Sequence, residues 1–351
     1  MAYSGVISKY LDYLPFSKKV EPITLLEGNT PLIEADNLRK ELKAPCKLFL
    51  KFEGTNPTGS FKDRGMTVAI TRAIEENAES VICASTGNTS ASAAAYAAKA
   101  GLKAFVVLPK GKIAVGKLAQ ALIYGAKIIE IDGNFDEALK IVREIGERTK
   151  TVIVNSINPY RIEGQKTASF EIIEVLGSAP THHTLPVGNA GNITAYWKGY
   201  KEWSAKNRTS LPKMLGFQAE GAAPIVQGKI VEHPETIATA IRIGNPASWK
   251  QALQALSESH GQIDTVSDSE ILSAQKLIAS TEGIFCEPAS ASSVAGVRKL
   301  VEKSYFTDKD IVVCTLTGNG LKDPDTASRD IPLPPSAPPI FSEVLRLMNS
   351  I

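Results

Sequence analysis

The sequence predicts an α/β protein with two doubly wound, mainly parallel sheets in two domains and an active site in the cleft between them. Two observations predict this fold. Short β-branched runs alternate with longer segments of helical periodicity along most of the 351 residues, a pattern typical of parallel sheets covered by helices. Five of the runs lead into polar loops, at the strand ends where open α/β sheets bind ligands.

The elements follow from local patterns of apolar and turn-forming residues. The predicted strands cover residues 47–52, 80–84, 104–108, 127–131, 151–154, 183–186, 214–218 and 311–316. The predicted helices cover residues 63–75, 89–100, 112–124, 135–148, 164–175, 193–204, 268–280 and 289–303, with a last helix at 341–348 after a proline-rich stretch. Each strand is a short apolar run, and each helix repeats apolar residues on one face.

Two polar, proline-containing stretches interrupt this alternation, near residues 54–58 and 155–163. We therefore expect residues 1–64 and 161–351 to form a large domain, with residues 65–160 as a smaller inserted α/β domain.

Composition excludes several classes of protein. Apolar residues make up 43% of the chain and the net charge is +2, which indicates a globular core and lacks the basic bias of nucleic-acid binders. The longest apolar stretch, residues 91–98, is too short to span a bilayer, and the N-terminus lacks a signal peptide's apolar core. The scattered cysteines indicate buried thiols in a reducing cytoplasm. The four histidines predict no metal site, because no other ligands cluster around them.

One lysine stands between a glycine-led turn and the start of a predicted helix, in the segment GSFKDR at residues 59–64. An amine sheltered at the mouth of a sheet can lose its proton near neutral pH and condense with a carbonyl. Among the 39 Lys and Arg residues of the chain, a solvated surface lysine is the commoner case. The other loops at the same end of the sheets favour the chemical role for Lys62.

The loop GNAGN at residues 188–192 is the best candidate for a phosphate cradle. Its small residues allow the backbone to approach an anion, and a helix beginning near Ile193 would offer free N–H groups and a positive dipole end. An ordinary strand-to-helix turn is the alternative. Motifs for dinucleotides and nucleoside triphosphates are missing. One phosphate cradle and one reactive lysine fit pyridoxal 5′-phosphate better than NAD or ATP.

Eight segments, in this order, resemble the fold-type-II pyridoxal-phosphate enzymes and, within them, the threonine synthases. They are residues 27–32 (EGNTPL), 51–64 (KFEGTNPTGSFKDR), 84–90 (ASTGNTS), 187–192 (VGNAGN), 216–224 (GFQAEGAAP), 243–246 (IGNP), 287–291 (EPASA) and 315–320 (TLTGNG). The resemblance covers residues 22–325, nearly the whole chain. Each segment alone is modest, but their combination is specific.

The resemblance implies a role for each matched cofactor position. Lys62 would be the catalytic lysine that holds the cofactor, and the other cofactor-binding residues would be Phe61, Asn88, Gly188, Asn189, Ala190, Gly191, Asn192 and Thr317. Asn88 would bind the ring oxygen, residues 188–192 the phosphate, and Thr317 the pyridine nitrogen. A neutral hydroxyl does not hold a proton on that nitrogen as a carboxylate would, which favours elimination and replacement over transamination.

Three activities share this scaffold: serine/threonine dehydratases, cysteine synthases and threonine synthases. Only the threonine synthases bind a second phosphate, that of O-phospho-L-homoserine, so surplus donors in the cleft distinguish them. The candidate substrate-binding residues are Ser85, Thr86, Thr89, Lys112, Asn155, Ser156 and Arg161. The alternatives are a solvent-facing arginine at a helix start for Arg161 and a surface basic segment for Lys112.

The resemblance thus implies a carbon–oxygen lyase that converts O-phospho-L-homoserine and water to L-threonine and phosphate, the last step of threonine biosynthesis. A threonine/serine dehydratase is the alternative. A homodimer is implied, with no nucleic-acid or membrane partner. The short segments before residue 25 and after residue 325 predict neither an S-adenosylmethionine-responsive extension nor a separate regulatory domain. A non-catalytic binding protein would be expected to lack Lys62.

Overall fold

The computed structural model describes residues 2–110, 115–328 and 334–349, and the strands of these residues form two sheets. The strands are β1 (Leu32–Glu34), β2 (Lys47–Phe52), β3 (Ser80–Cys83), β4 (Lys103–Pro109), β5 (Lys127–Ile131), β6 (Thr151–Ile153), β7 (His182–Pro186), β8 (Lys213–Ala219), β9 (Gln262–Val266) and β10 (Ile311–Leu316). One sheet has the order β1-β2-β10-β7-β8-β9, and the other has the order β5-β4-β3-β6. The pairing of β1 with β2 is antiparallel, and the other pairings in these sheets are parallel.

Helices separate most of the strands. They are α1 (Val6–Lys9), α2 (Asp36–Glu41), α3 (Lys62–Glu75), α4 (Asn88–Ala100), α5 (Val115–Ile123), α6 (Phe135–Arg148), α7 (Pro159–Gln165), α8 (Thr167–Leu176), α9 (Gly191–Asn207), α10 (Pro224–Gln227), α11 (Trp249–Ser259), α12 (Asp268–Glu282), α13 (Pro288–Glu302), α14 (Pro324–Ser328) and α15 (Phe341–Met348). Short 3₁₀ helices lie at Leu11–Tyr13, Glu53–Thr55, Glu220–Ala222, Thr239–Ile241 and Gly320–Lys322. Within the described ranges, every helix is too short or too polar to cross a bilayer.

The eight predicted strands are confirmed to within one residue at each end. The edge strands β1 and β9 were missed, because β1 has three residues and β9 (QIDTV) mixes polar and apolar residues without strict alternation, mostly at half-buried positions. The helices α1, α2, α10, α11 and α14 were also missed. The predicted helix at 164–175 was wrong in its start: the chain forms α7 and α8, with α7 beginning at Pro159 behind the N-cap Asn158, whose side chain accepts from Tyr160 N.

The two sheets come from different parts of the chain. The four-stranded sheet uses residues 80–153, and the six-stranded sheet uses residues 32–52 and 182–316. Helix α3 runs across the boundary expected between residues 64 and 65, so the exact domain limits stay a prediction. Each sheet has its own apolar core, with Leu48 and Phe217 in the larger one and Ile70 and Tyr96 in the smaller one.

A buried ion network joins β2, α3 and α8. Arg64 is fully buried; its Nε donates to Glu53 Oε2 at 2.6 Å, and its Nη2 donates to Glu171 Oε2 at 2.6 Å. Lys51 Nζ also donates to Glu171, at 2.7 Å. Burial alone would raise the pKa of Glu171, but the two cations hold it well below its usual range. Because unpaired buried charges are very unfavourable, these ion pairs hold β2, α3 and α8 in fixed positions relative to one another. Lys62 is the first residue of α3.

We predict that Glu171→Gln lowers the free energy of unfolding by about 3–5 kcal/mol, because it leaves Lys51 without a buried counter-charge and Arg64 with Glu53 alone. Urea titration at pH 7 measures the change. The matched control is Arg72→Ala, which removes exposed ion pairs to Glu75 and Glu76 and should cost about 1 kcal/mol or less. Because the folded-state pKa of Glu171 is lowered, its stabilisation is present near neutral pH and fades in acid, so the gap between variant and wild type should shrink as the pH falls.

Candidate active site

The loop that carries Lys62 lies directly against the loop that follows β10. Phe61 N donates to Thr317 O at 3.0 Å, and Asn319 N donates to Gly59 O at 2.9 Å. Gly59 has a φ of 85°, in the left-handed region that favours glycine. These contacts between residues far apart in sequence place Lys62 at the carboxyl ends of two adjacent strands, as the sequence predicted.

Lys62 is the first residue of α3, and its neighbours in sequence are tightly held. Asp63 accepts hydrogen bonds from Thr58 N at 2.7 Å and from Ser92 Oγ at 2.6 Å. Loss of hydration around the amine of Lys62 lowers its pKa to about 7; Arg161 reinforces this shift and Glu287 opposes it. An ordinary lysine has a pKa of about 10.4. The environment therefore provides a neutral, nucleophilic amine near physiological pH.

Asn88 and Thr317, the two predicted partners of the cofactor ring, are joined by one carboxylate. Asn88 Nδ2 donates to Glu287 Oε2 at 2.9 Å, and Thr317 Oγ1 lies 3.1 Å from Glu287 Oε1. Thr317 Oγ1 is also 3.0 Å from Ser290 Oγ. Asn88 begins α4, the helix after β3 of the smaller sheet, whereas Glu287 and Ser290 lie at the start of α13 and Thr317 follows β10 of the larger sheet. The hydrogen bond between Asn88 and Glu287 therefore links the two sides of the cleft.

The loop 188–192 has the geometry of an anion site. Ala190 has a φ of 61° and precedes the first turn of α9, a helix of 17 residues whose leading N–H groups are left without helical partners. A Cβ added at Gly188 would lie 2.9 Å from Ile241 Cα, which explains the glycine. Asn189 O accepts from Ser248 N at 3.1 Å and anchors the loop. The reactive lysine, this helix terminus and the ring partners together fit pyridoxal phosphate, although the individual roles stay predictions.

Arg161 is buried, contrary to the alternative of a solvent-facing side chain. Its Nη1 donates to Val154 O at 3.1 Å, while Nε and Nη2 have no hydrogen-bond partner in the described structure. Burial lowers the pKa of Arg161 to about 10. The close approach of α3 and α7 makes this burial possible: a Cβ on Gly65 would lie 2.7 Å from Arg161 O. A buried guanidinium with free donors is a ready site for an anion.

The remaining predicted substrate residues divide into three groups. Ser85, Thr86 and Thr89 share the loop of Asn88; the first two are half-buried and Thr89 is buried. Asn155 forms two hydrogen bonds with the backbone of Ala84, both at 3.0 Å, and so ties the end of β6 to the end of β3. Ser156 follows it and is half-buried. Lys112 lies outside the described residues.

Sequence reasoning missed the roles of Glu287 and Lys322. Glu287 belongs to a matched segment (EPASA) but received no role; its position immediately before the helix-starting Pro288 was an available signal. Lys322 Nζ donates to Thr58 O at 3.1 Å and to the side chain of Gln120, which links both walls of the cleft. Burial lowers the pKa of Lys322, while Glu287 and Asp63 oppose the shift. Across the described ranges, His, Cys, Asp and Glu form no group of three or more that could hold a metal ion.

Comparison with known proteins agrees with this geometry. The family described as "Pyridoxal-phosphate dependent enzyme" matches residues 23–318. The threonine synthase of Halalkalibacterium halodurans is 58% identical over 96% of this chain and 95% of its own length. That of Mycobacterium tuberculosis is 59% identical over 94% and 92% of the two chains. Among solved structures, a threonine deaminase from T.th. is 26% identical, with a TM-score of 0.70 over 88% of this chain and 94% of its own.

We predict that acylation of Lys62 in the cofactor-free protein shows a midpoint near pH 7, because the deprotonated amine is the reactive form. Labelling with a small acylating reagent over a pH series, followed by peptide mass spectrometry, measures this midpoint. The exposed Lys47 is the internal control for access of the reagent. A Lys62 midpoint well above pH 7 would contradict the proposed environment.

Proposed function

This chain belongs to the pyridoxal-phosphate-dependent enzymes and, within them, to the threonine synthase family, and we therefore propose that it converts O-phospho-L-homoserine and water to L-threonine and phosphate. It is a lyase that uses pyridoxal phosphate. The observation that carries the choice of substrate is Arg161, a buried cation with three free N–H hydrogens on Nε and Nη2. A substrate with a phosphate group would supply acceptor oxygens for these N–H groups.

The dehydratase alternative is not favoured. The threonine synthases named above are 58–59% identical over almost the whole chain, whereas the threonine deaminase is 26% identical. The substrates of a dehydratase, serine or threonine, carry no phosphate. Such a substrate would leave the Arg161 donors buried and unpaired, which is unfavourable by about 1–3 kcal/mol or more for a charged group.

The roles of the other residues follow from their chemistry. When bound, pyridoxal phosphate supplies the electron sink for the carbanions of elimination and replacement. Residues 188–192 would hold its phosphate through backbone N–H groups, while Asn88 and Thr317 would bind the ring oxygen and nitrogen. Lys62 would hold the cofactor before the substrate enters and then, as a free amine, accept the Cα proton. Its lowered pKa suits both tasks.

Arg161 would hold the substrate phosphate while the Cγ–O bond breaks and phosphate leaves. Thr89, Ser85 and Thr86, in the loop of Asn88, would add hydroxyl donors, and Ser156 another from the end of β6. Asn155 would contribute chiefly by holding the two loops together, since its amide bonds Ala84. Water then adds at Cβ. We also propose a cytoplasmic homodimer, supported by the four buried free cysteines for the compartment and by the family for the assembly.

A panel of substrates tests the proposed reaction. We expect the purified protein, loaded with pyridoxal phosphate, to release phosphate from O-phospho-L-homoserine with an equal amount of threonine. Serine, threonine and O-acetylserine should react far more slowly, measured as ammonia and keto acid or as acetate. Faster deamination of threonine than phosphate release from phosphohomoserine would replace this proposal with the dehydratase.

We predict that Arg161→Ala lowers kcat/KM for phosphohomoserine by roughly 30- to 1000-fold, which corresponds to about 2–4 kcal/mol of lost charge-assisted binding. Residual deamination of serine or threonine should change little, because these substrates lack a phosphate. Arg298→Ala, at a half-exposed position on α13, is the matched control and should leave both activities unchanged. An equal loss of both activities in Arg161→Ala would mean that Arg161 is structural.

A further inference from the structure

Glu287 is a buried carboxylate to which the proposed function assigns no task. It is 4% exposed and lies at the start of α13. Its Oε2 accepts from Asn88 Nδ2 at 2.9 Å, and its Oε1 lies 3.1 Å from Thr317 Oγ1. These are the two residues proposed to bind the ring oxygen and the pyridine nitrogen of the cofactor. Burying a carboxylate is unfavourable unless its hydrogen bonds compensate. Its position between these two residues therefore suggests a function beyond packing.

The backbone of Glu287 is held against the loop that follows β10. Glu287 N donates to Gly318 O at 3.0 Å, and Gly318 N donates to Ser290 Oγ at 3.0 Å. A Cβ added at Gly318 would lie 2.5 Å from Glu287 Oε1, so this glycine leaves room for the carboxylate. Glu287 thus has a fixed position from which it can orient its neighbours.

Hydrogen accounting shows what this orientation does to Asn88. A side-chain amide has two donor hydrogens on nitrogen and an acceptor oxygen, and either end can point toward a ligand. Because Glu287 accepts from Nδ2, the amide is fixed with its nitrogen toward Glu287. One hydrogen is used by Glu287 and the second is left to donate to an oxygen such as that of the cofactor ring.

The same accounting gives Thr317 two alternative states. A hydroxyl has one hydrogen. With Glu287 ionised, Thr317 donates that hydrogen to the carboxylate, and its oxygen can only accept a hydrogen bond from the ring. This state therefore favours a protonated pyridine nitrogen. With Glu287 protonated, the carboxyl donates to Thr317, whose own hydrogen becomes free for an unprotonated nitrogen. From the hydroxyl of Thr317 alone, the sequence predicted an unprotonated pyridine nitrogen.

We propose that Glu287 is a positioning residue that orients the amide of Asn88 and, through the hydroxyl of Thr317, couples its own ionisation to the protonation of the cofactor's pyridine nitrogen. The inference rests on the proposed contacts of Asn88 and Thr317 with the ring. It explains why a carboxylate can influence the cofactor without touching the nitrogen itself. The expected consequence is that one component of the pH dependence of cofactor affinity disappears when Glu287 cannot ionise.

Burial and the groups facing Glu287 act on its ionisation in opposite directions. Burial raises the pKa of Glu287, while the hydrogen bonds from Asn88 and Thr317 and the cations Lys322 and Lys62 oppose that shift. Lys62 itself titrates with a pKa of about 7. A pH profile of the wild type therefore contains the titrations of several groups, and the contribution of Glu287 is isolated by subtracting the profile of a variant that lacks only its ionisation.

Glu287→Gln is that variant, because it preserves size and removes the ionisable group. We expect about 10-fold weaker binding of pyridoxal phosphate to the cofactor-free protein at pH 8, the scale of one lost charge-assisted hydrogen bond. The ratio of variant to wild-type dissociation constants should change between pH 6 and 9, and the visible absorption of the bound cofactor should shift. Glu302→Gln, at an exposed position at the other end of α13, is the control and should match the wild type.

The dependence on Thr317 is tested by a double-mutant cycle. In a Thr317→Val background, Glu287→Gln should no longer alter the pH dependence of binding or the absorption, because the link to the nitrogen is already absent. Undiminished effects in that background, or a wild-type profile for Glu287→Gln, would overturn the proposal. If Glu287→Gln does not fold, judged by circular dichroism, Thr317→Val alone decides: an unchanged pH profile overturns the coupling. All readouts omit substrate, so their outcome is independent of whether phosphohomoserine is turned over.

Discussion

The guanidinium of Arg64 bonds Glu53 and Glu171 at distances of 2.6–2.8 Å inside the protein, and the arrangement of the candidate site depends on it. Arg64 lies two residues after Lys62, in the first turn of α3. Its partners come from the 3₁₀ helix directly after β2 and from α8, so the network orients the helix that carries the lysine against both. Because a guanidinium stays charged at any physiological pH, the counter-ions cannot be released without a large loss of stability.

Desolvation then produces two different chemical groups in the same cleft. At Lys62 it removes hydration from an amine that can give up its proton, and a neutral nucleophile results. At Arg161 the charge persists, because even the lowered pKa of about 10 keeps the guanidinium protonated at neutral pH. The outcome there is a cation with free donors. Loss of hydration thus provides both a base and an anion site. Repulsion between Arg161 and a protonated Lys62 further favours the neutral form of Lys62.

Hydrogen bonds across the cleft connect these groups to the cofactor loops. Glu287 joins Asn88, on the smaller sheet's side, to Thr317 on the larger sheet's side. Lys322 makes a second connection, from the loop after β10 to Thr58 and Gln120. The same fold occurs in enzymes with other reactions, such as the threonine deaminase, and in this chain the unpaired donors of Arg161 suit a phosphorylated substrate.

Local patterns of residues were enough to predict the parts of this protein that depend on sequence neighbours. The strands 47–52 and 311–316, the turn before Lys62 and the loop 188–192 follow from periodicity and from glycine positions. Short or half-polar elements such as β1 and β9 were missed, because their patterns do not differ from those of loops. The burial of Arg161, the lowered pKa of Lys62 and the placement of Glu287 arise only in the folded chain. The environment of these groups depends on distant residues, such as Asn88 and Glu287, which are hydrogen-bonded although they lie 199 positions apart in the chain. No local pattern of residues encodes such contacts.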